Sequence, residues 1–219
     1  MIENKRVLAL IPARGGSRRL PGKNVMPFKG RPLIAWSVAA ALGAPGVDRV
    51  VVSTDDEDIA NAARTAGAEV PFMRPAALSD DAATSVDVAL HALDTLGEGA
   101  DVLLLLQPTS PLRTAADIEA GLRLMVGRGA PAVVGVTAPF KPLRFHVRLA
   151  ADGTAVPFDP GDEAGVRLLN GAFYAVATDV LRQARTFDPP GTLAFEMPQD
   201  RSIDIDTAFD WRLAEALAP

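Results

Sequence analysis

The run Val102-Leu-Leu-Leu-Leu106 contains no polar position. A strand of that composition has no face suited to water, so it belongs inside a sheet covered on both sides. Around it, apolar runs alternate with helical stretches. Residues 7–11 and 49–53 read as strands, and residues 32–42 as a helix with proline at an early position. The segment from Thr54 to Asp58 offers a helix cap and an acidic first turn, leading into a helix that ends at Gly67. Residues 70–73 form a short strand candidate, and 85–96 a helix with apolar Val86, Leu90 and Leu93. A helix over 115–126 and a strand over 132–136 follow, then a strand at 172–176, a helix near 179–183, a strand at 193–197 and a closing helix over 207–217. Alternation of this kind predicts a three-layer α/β fold with a mainly parallel sheet.

The pattern breaks between residues 139 and 169, where Pro139, Pro142, Gly153, Pro157, Pro160 and Gly161 interrupt short alternating pieces. An unstructured loop of that length is unusual in a compact domain, so a β-rich flap or an oligomer arm is expected there. With 219 residues, 48% of them hydrophobic, the chain supports one substantial core, and 1–219 is expected to be a single domain carrying this excursion. No apolar run reaches the roughly 18 residues of a membrane span. The opening Met-Ile-Glu-Asn-Lys-Arg also lacks a signal-peptide core, so a soluble, cytoplasmic protein without a membrane partner is expected. Cysteine is absent and only His91 and His146 are present, so any metal should be oxygen-ligated.

The formal charge of −5 hides an asymmetry. Residues 1–31 hold eight Lys/Arg and one acid, whereas the remainder holds 14 basic and 26 acidic residues. An acidic body without interleaved aromatics argues against nucleic acid and for a small anionic ligand. The positive charge gathers in Ile11-Pro-Ala-Arg-Gly-Gly-Ser-Arg-Arg-Leu-Pro-Gly-Lys-Asn24, directly after the first strand. Gly15, Gly16 and Gly22 let the backbone approach a ligand, while Arg14, Arg18, Arg19 and Lys23 supply charge against phosphate oxygens. The spacing matches neither a Walker A loop nor G-x-G-x-x-G, so the phosphate grip is of another kind; a basic surface loop of ordinary turn residues is the alternative.

Three further segments carry chemistry. Gln107-Pro-Thr-Ser-Pro-Leu-Arg113 leaves the strongest strand with an amide, the hydroxyls of Thr109 and Ser110 and an arginine, as in a polar pocket; equally, it is a rigid turn with Thr114 as N-cap and Arg113 solvated. In Ser202-Ile-Asp-Ile-Asp-Thr207, an extended chain points Asp204 and Asp206 the same way. A carboxylate pair beside a polyphosphate suits Mg²⁺, although Asp206 or Thr207 also reads as a helix cap. The stretch from Arg74 to Ser85 is either a specificity loop in which those two residues read a base edge, or a surface loop whose Asp80 and Asp81 start the next helix. Asn170-Gly171 reads as a hairpin turn or as an amide presented to a ligand. The two histidines and Trp36 and Trp211 read as packing or surface residues.

Taken in order, IPARGGSRRLPGKN, VVSTDDEDIA, RPAALSDD, LLQPTSPLR, NGAFY and SIDIDT resemble the CMP-N-acylneuraminate (sialic acid) cytidylyltransferases and their relatives acting on other nonulosonic acids. The resemblance spans nearly the whole chain. It implies a Rossmann-like nucleotidyltransferase fold, a homodimer formed through the 139–169 lobe, and transfer of CMP from CTP to the anomeric hydroxyl of an α-keto acid sugar, with Mg²⁺ present and pyrophosphate released. Carried over by position, it implies that Arg14, Gly15, Gly16, Ser17, Arg18, Lys23 and Asn24 hold the nucleotide, with Arg14, Lys23 and Asp206 in catalysis. Arg74 and Ser85 match the positions that read cytosine. Gln107 matches a sugar contact, with Thr109, Ser110, Arg167 and Asn170 also on the sugar side. Asp204 and Asp206 match the metal-binding aspartates, one of which also helps deprotonate the attacking hydroxyl.

Two positions depart from the pattern. Arg18 stands where a lysine is common, exchanging a point donor for a fork. Leu168 stands where the sialic acid branch often carries an arginine for the sugar carboxylate, with Arg167 one residue away. The Gly15-Gly16 pair argues against the 3-deoxy-manno-octulosonate branch. Legionaminic or sialic acid is the expected sugar class, with pseudaminic acid next. A nucleotide-binding homologue with little turnover and a GT-A type glycosyltransferase are the competing readings, the latter disfavoured because its D-x-D motif normally falls mid-chain.

Overall fold

The computed structural model describes every residue except Arg18, Asp81, Glu98, Pro160 and Pro219. Ten strands are present among the described residues: β1 Val7–Pro12, β2 Pro27–Phe28, β3 Arg31–Pro32, β4 Arg49–Ser53, β5 Val102–Leu105, β6 Ala132–Thr137, β7 Val147–Leu149, β8 Ala155–Pro157, β9 Leu168–Ala177 and β10 Leu193–Glu196. The α-helices are α1 Leu33–Leu42, α2 Glu57–Thr65, α3 Ser85–Leu96, α4 Ala115–Gly127, α5 Thr178–Ala184 and α6 Ala208–Leu217.

Six strands form one sheet in the order β10-β6-β9-β5-β1-β4. Its faces follow the period-two rule. Ala9, Ile11, Val102 and Leu104 pack with Ile34 and Val38 of α1, Ile59 of α2 and Ile118 and Leu122 of α4. Leu8, Leu10, Leu103 and Leu105 pack on the opposite side with Ala89 and Leu93 of α3 and Leu181 of α5. The all-apolar run thus lies inside the sheet with both faces covered, and the three-layer α/β architecture expected from the sequence is present.

Within that sheet β1 pairs in parallel with β4 and β5, and β10 with β6, but β9 runs antiparallel to both β5 and β6. A parallel partner requires a crossover to the far end of the sheet. Among the described residues of 138–167 no α-helix makes one; the β7–β8 hairpin projects outward with Phe145, Val147, Leu149 and Val156 exposed. The chain therefore re-enters from the end at which it left and lies against β6 as in a long hairpin.

Two local expectations change. Residues 70–73 make no ladder: the contacts to β4 are single bridges, Val51 with Glu69 and Thr54 with Met73. Pro71 has no amide hydrogen to continue a ladder. Asn170-Gly171 is no hairpin turn but lies within β9, where the register against β6 shifts between Val134 and Val136. Gly171 has φ +71°, and a Cβ there would stand 2.7 Å from Gln107 Oε1. Only glycine fits both demands.

Candidate active site

The winding of the sheet reverses at β1, since α1 leads to β4 over one face and α3 returns to β5 over the other. Folds of this class bind ligands beyond the carboxyl ends of the strands at such a point. A cavity of about 620 Å³ lies there, lined by the loop after β1, the Arg74–Ser85 segment, the loop after β5 and the aspartate segment.

The loop after β1 is held by its neighbours. Asn24 is buried and donates to the Arg14 carbonyl (3.1 Å), while its own carbonyl accepts from Ile34 N (3.0 Å), folding the loop back onto α1. Gly15 N donates to Asp55 Oδ1 (3.1 Å), and a Cβ on Gly15 would stand 2.6 Å from Asp56 Oδ2, so the loop lies against the N-terminus of α2. Arg14, Ser17, Arg19, Lys23 and Asn24 all line the cavity. Gly15 and Gly16 shape the turn without lining it, and Arg18 lies outside the described residues.

Arg74 reaches the cavity because its amide donates to the Thr54 carbonyl at the end of β4 (2.7 Å). Its side chain is 4% exposed and lies 3.6 Å from Asp55, while Nε and Nη2 have no hydrogen-bond partner among the described residues. Burial draws the guanidinium below the usual arginine range against the pull of Asp55. Buried donors without acceptors call for a ligand acceptor. Ser85, the first residue of α3, also lines the cavity; Asp80 accepts from the amides of Ala82 and Ala83 in the preceding turn, and α3 itself is started by Thr84, which caps it, rather than by Asp80. Asp81 lies outside the described residues.

Opposite stands the aspartate pair. Ile205 N donates to the Thr109 carbonyl (2.8 Å), and the Thr109 hydroxyl hydrogen-bonds Asp204, so the loop after β5 pins this segment. Arg201 clamps its root with a bidentate pair to Asp117 of α4 (2.9 and 3.0 Å), a contact with no signal in the sequence. Thr207 caps α6 with Asp210 in a capping box. The Asp206 side chain is thus left to the cavity, where it accepts from Arg19 (2.7 Å) and Lys23 (3.1 Å).

Asp204 is more deeply set. Burial pushes its carboxyl above the usual range, the charge of Asp206 adds to this, and the Thr109 hydrogen bond and Lys23 oppose it. Its Oδ1 is buried without a hydrogen-bond partner. A hard divalent cation would satisfy that oxygen and offset the repulsion, so the pair fits Mg²⁺. Among the described residues no group of three or more His, Cys, Asp or Glu is placed to hold a metal, so further ligands would come from substrate and water.

A second cavity, of about 640 Å³, opens across the same wall and shares Gln107 and Asp204 with the first. Phe140, Leu168, Leu169, Phe209 and Leu213 line it, and no lysine or arginine does. Asn170 lies at its edge, but its amide is committed: Nδ2 donates to Ser202 Oγ (3.0 Å) and Oδ1 accepts from Ala172 N (3.0 Å). The structure does not bring Arg167 to either cavity. It pairs with Glu196 at 2.9 Å, because it precedes β9 on the side of the excursion. Nor does Ser110, which is fully buried away from both.

Arg113 is not solvated, as its alternative reading had it. It is 3% exposed and donates to the Ala172 carbonyl and Ser37 Oγ (both 2.6 Å), joining the β5 exit loop to β9 and α1. Burial draws its pKa down to about 9, which leaves it charged at neutral pH.

Comparison with known proteins agrees with this fold. The fold is that of CMP:2-keto-3-deoxy-manno-octonic acid synthetase, solved in complex with CTP, with a TM-score of 0.72 at 22% identity over 97% of this chain and 98% of that one. The cytidylyltransferase family model matches residues 8–125. CMP-N,N'-diacetyllegionaminic acid synthase of Legionella pneumophila is 35% identical over 97% of this chain and 96% of its own length. Pseudaminic acid cytidylyltransferase of Campylobacter jejuni is 31% identical over 96% and 95%. The chain belongs to the cytidylyltransferase family, in the company of CMP-transferases of nonulosonic acids.

Proposed function

We propose that this chain transfers CMP from CTP to the anomeric hydroxyl of a nonulosonic acid, releasing pyrophosphate, and that it works with Mg²⁺ as a cytoplasmic homodimer joined through the 139–169 lobe. The observation that carries the reading is the shared wall. A cationic cavity sized for a nucleotide and an uncharged-to-acidic cavity sized for a sugar meet at Gln107 and Asp204.

In this reading Arg14 and Lys23 hold the phosphates, Asn24 keeps their loop folded, and Arg74 with Ser85 takes the base edge. Gln107 orients the sugar so that its anomeric oxygen approaches the α-phosphorus, and positioning of this kind removes much of the barrier. Asp206 accepts the hydroxyl proton as the new P–O bond forms and the bond to pyrophosphate breaks. Lys23, next to Asp206, faces the charge that develops on the phosphoryl oxygens. Asp204 and Asp206 would hold Mg²⁺, which supplies charge neutralisation of the polyphosphate.

Among the described residues no helix is long and apolar enough to cross a membrane, which accords with a soluble site of action. The test is pyrophosphate release across the four NTPs and a panel of nonulosonic acids. Release with CTP and a sugar together is expected. Release with another NTP, or binding of CTP without release in any combination, removes the proposal.

A further inference from the structure

We infer that the second cavity selects, among nonulosonic acids, those whose far end is a methyl group and whose amino substituents are acylated, over those ending in a hydroxylated tail. The inference rests on the reading above, which places the sugar there. The reacting oxygen must lie near Asp204 and Asp206, where the two cavities meet. The remainder of the sugar extends away from that wall.

What it meets is apolar. Phe140, Leu168 and Leu169 stand on one side, and Phe209 and Leu213 of α6 on the other. Of the polar groups along the way, the Asn170 amide and the Ser202 hydroxyl are committed within the protein and Asp210 is engaged through one carboxylate oxygen, which leaves Gln107 and the Tyr174 hydroxyl, both near the shared wall and β9, to meet the sugar. Asn170 binds Ser202 and Ala172 N. The Ser202 hydroxyl donates to the Pro198 carbonyl (2.8 Å). Asp210 accepts from Thr207 and from Asp206 N.

A hydroxylated tail laid against this surface gives up water and finds few replacement partners, whereas methyl and acetyl groups gain by the same burial. An acetamido group near the shared wall keeps its amide beside Gln107. No cation lines the second cavity, so the sugar carboxylate belongs at the cationic side of the wall.

N,N'-diacetyllegionaminic acid and N-acetylneuraminic acid share their ring stereochemistry, but the first carries an acetamido group and a terminal methyl where the second carries hydroxyls. With saturating CTP and Mg²⁺, pyrophosphate release is expected to favour the first in kcat/KM by about 10- to 100-fold, the range an apolar pocket provides against added hydroxyls. Equal values, or a preference for N-acetylneuraminic acid, overturn the inference and leave the parent reading intact. No release with either sugar removes the parent reading, and the inference with it.

Leu213→Gln, on a half-exposed face of α6, is expected to raise KM for the diacetylated sugar several-fold and leave KM for CTP unchanged. Phe209→Gln serves if that variant does not fold. If the variants change the oligomeric state by light scattering and leave the sugar KM alone, a second copy covers this rim and the inference fails.

Discussion

The two sides of Asp204 are built on opposite principles. On the side proposed for the nucleotide, the cationic loop is held by backbone and carboxylate contacts: Gly15 by Asp55, Asn24 by the Arg14 carbonyl, Lys23 by Ile205 and Asp206. On the side proposed for the sugar most of the wall is apolar, and Asn170 and Ser202 are occupied by bonds within the protein. A polyphosphate presents the same oxygens in every reaction, so a prepositioned set of cations suits it. Burial of apolar surface is non-directional, so in the proposed reading the sugar side would discriminate by size and polarity, and substitutions there would change preference without dismantling the phosphate grip.

The comparison predicts unequal consequences. Asp206→Asn removes a charge at the centre of the nucleotide side, and turnover is expected to fall by about 10³-fold, as when a preorganised electrostatic group is lost. Calorimetry should show CTP binding within a few-fold of the parent chain; near-normal pyrophosphate release would sink the assignment of Asp206. Arg74→Ala should raise KM for CTP by about 10- to 100-fold, the range for losing hydrogen bonds from a charged donor. Its kcat should change far less, and loss of kcat alone would mean that Arg74 does not read the nucleotide.

The smallest effect tests the scaffold beneath both sides. Asp117→Asn leaves Arg201 without its carboxylate, at a cost of about 1–3 kcal/mol because Arg201 is partly exposed. Burial raises the Asp117 carboxyl, but hydrogen bonds from Arg201 and Thr114 outweigh it and hold the group below its ordinary value. Its contribution is therefore complete above the ordinary aspartate range and is lost as pH falls through the lower folded value. Urea unfolding of the two proteins should differ at pH 7 and converge towards pH 3; a constant difference would show that the ion pair is not its origin.

Local signals in the chain were dependable. Thr114 with Asp117 and Thr207 with Asp210 form capping boxes at helix starts legible in the sequence, whereas α3 is capped by Thr84 rather than by the aspartates before it. The glycine and cation pattern of the loop after β1 and the paired aspartates were equally readable, since each is set by a few adjacent residues. Contacts between distant segments left no such trace. Arg113 reads as either a pocket group or a solvated one, yet it is the buried donor for Ala172 and Ser37. Arg167 is placed on the sugar side by resemblance, yet it pairs with Glu196 of β10.

From its amino acids alone this chain is bound to a covered α/β sheet with a cationic loop at the end of its first strand, because apolar runs and glycine spacing act within a few residues. The tertiary structure decided that β9 enters antiparallel, since the excursion provides no crossover. That entry sets Gly171 against Gln107 and Leu168 against the second cavity. It also leaves the half-buried Asp204 between a charged chamber and a largely apolar one, an arrangement that depends on contacts between segments far apart in the chain.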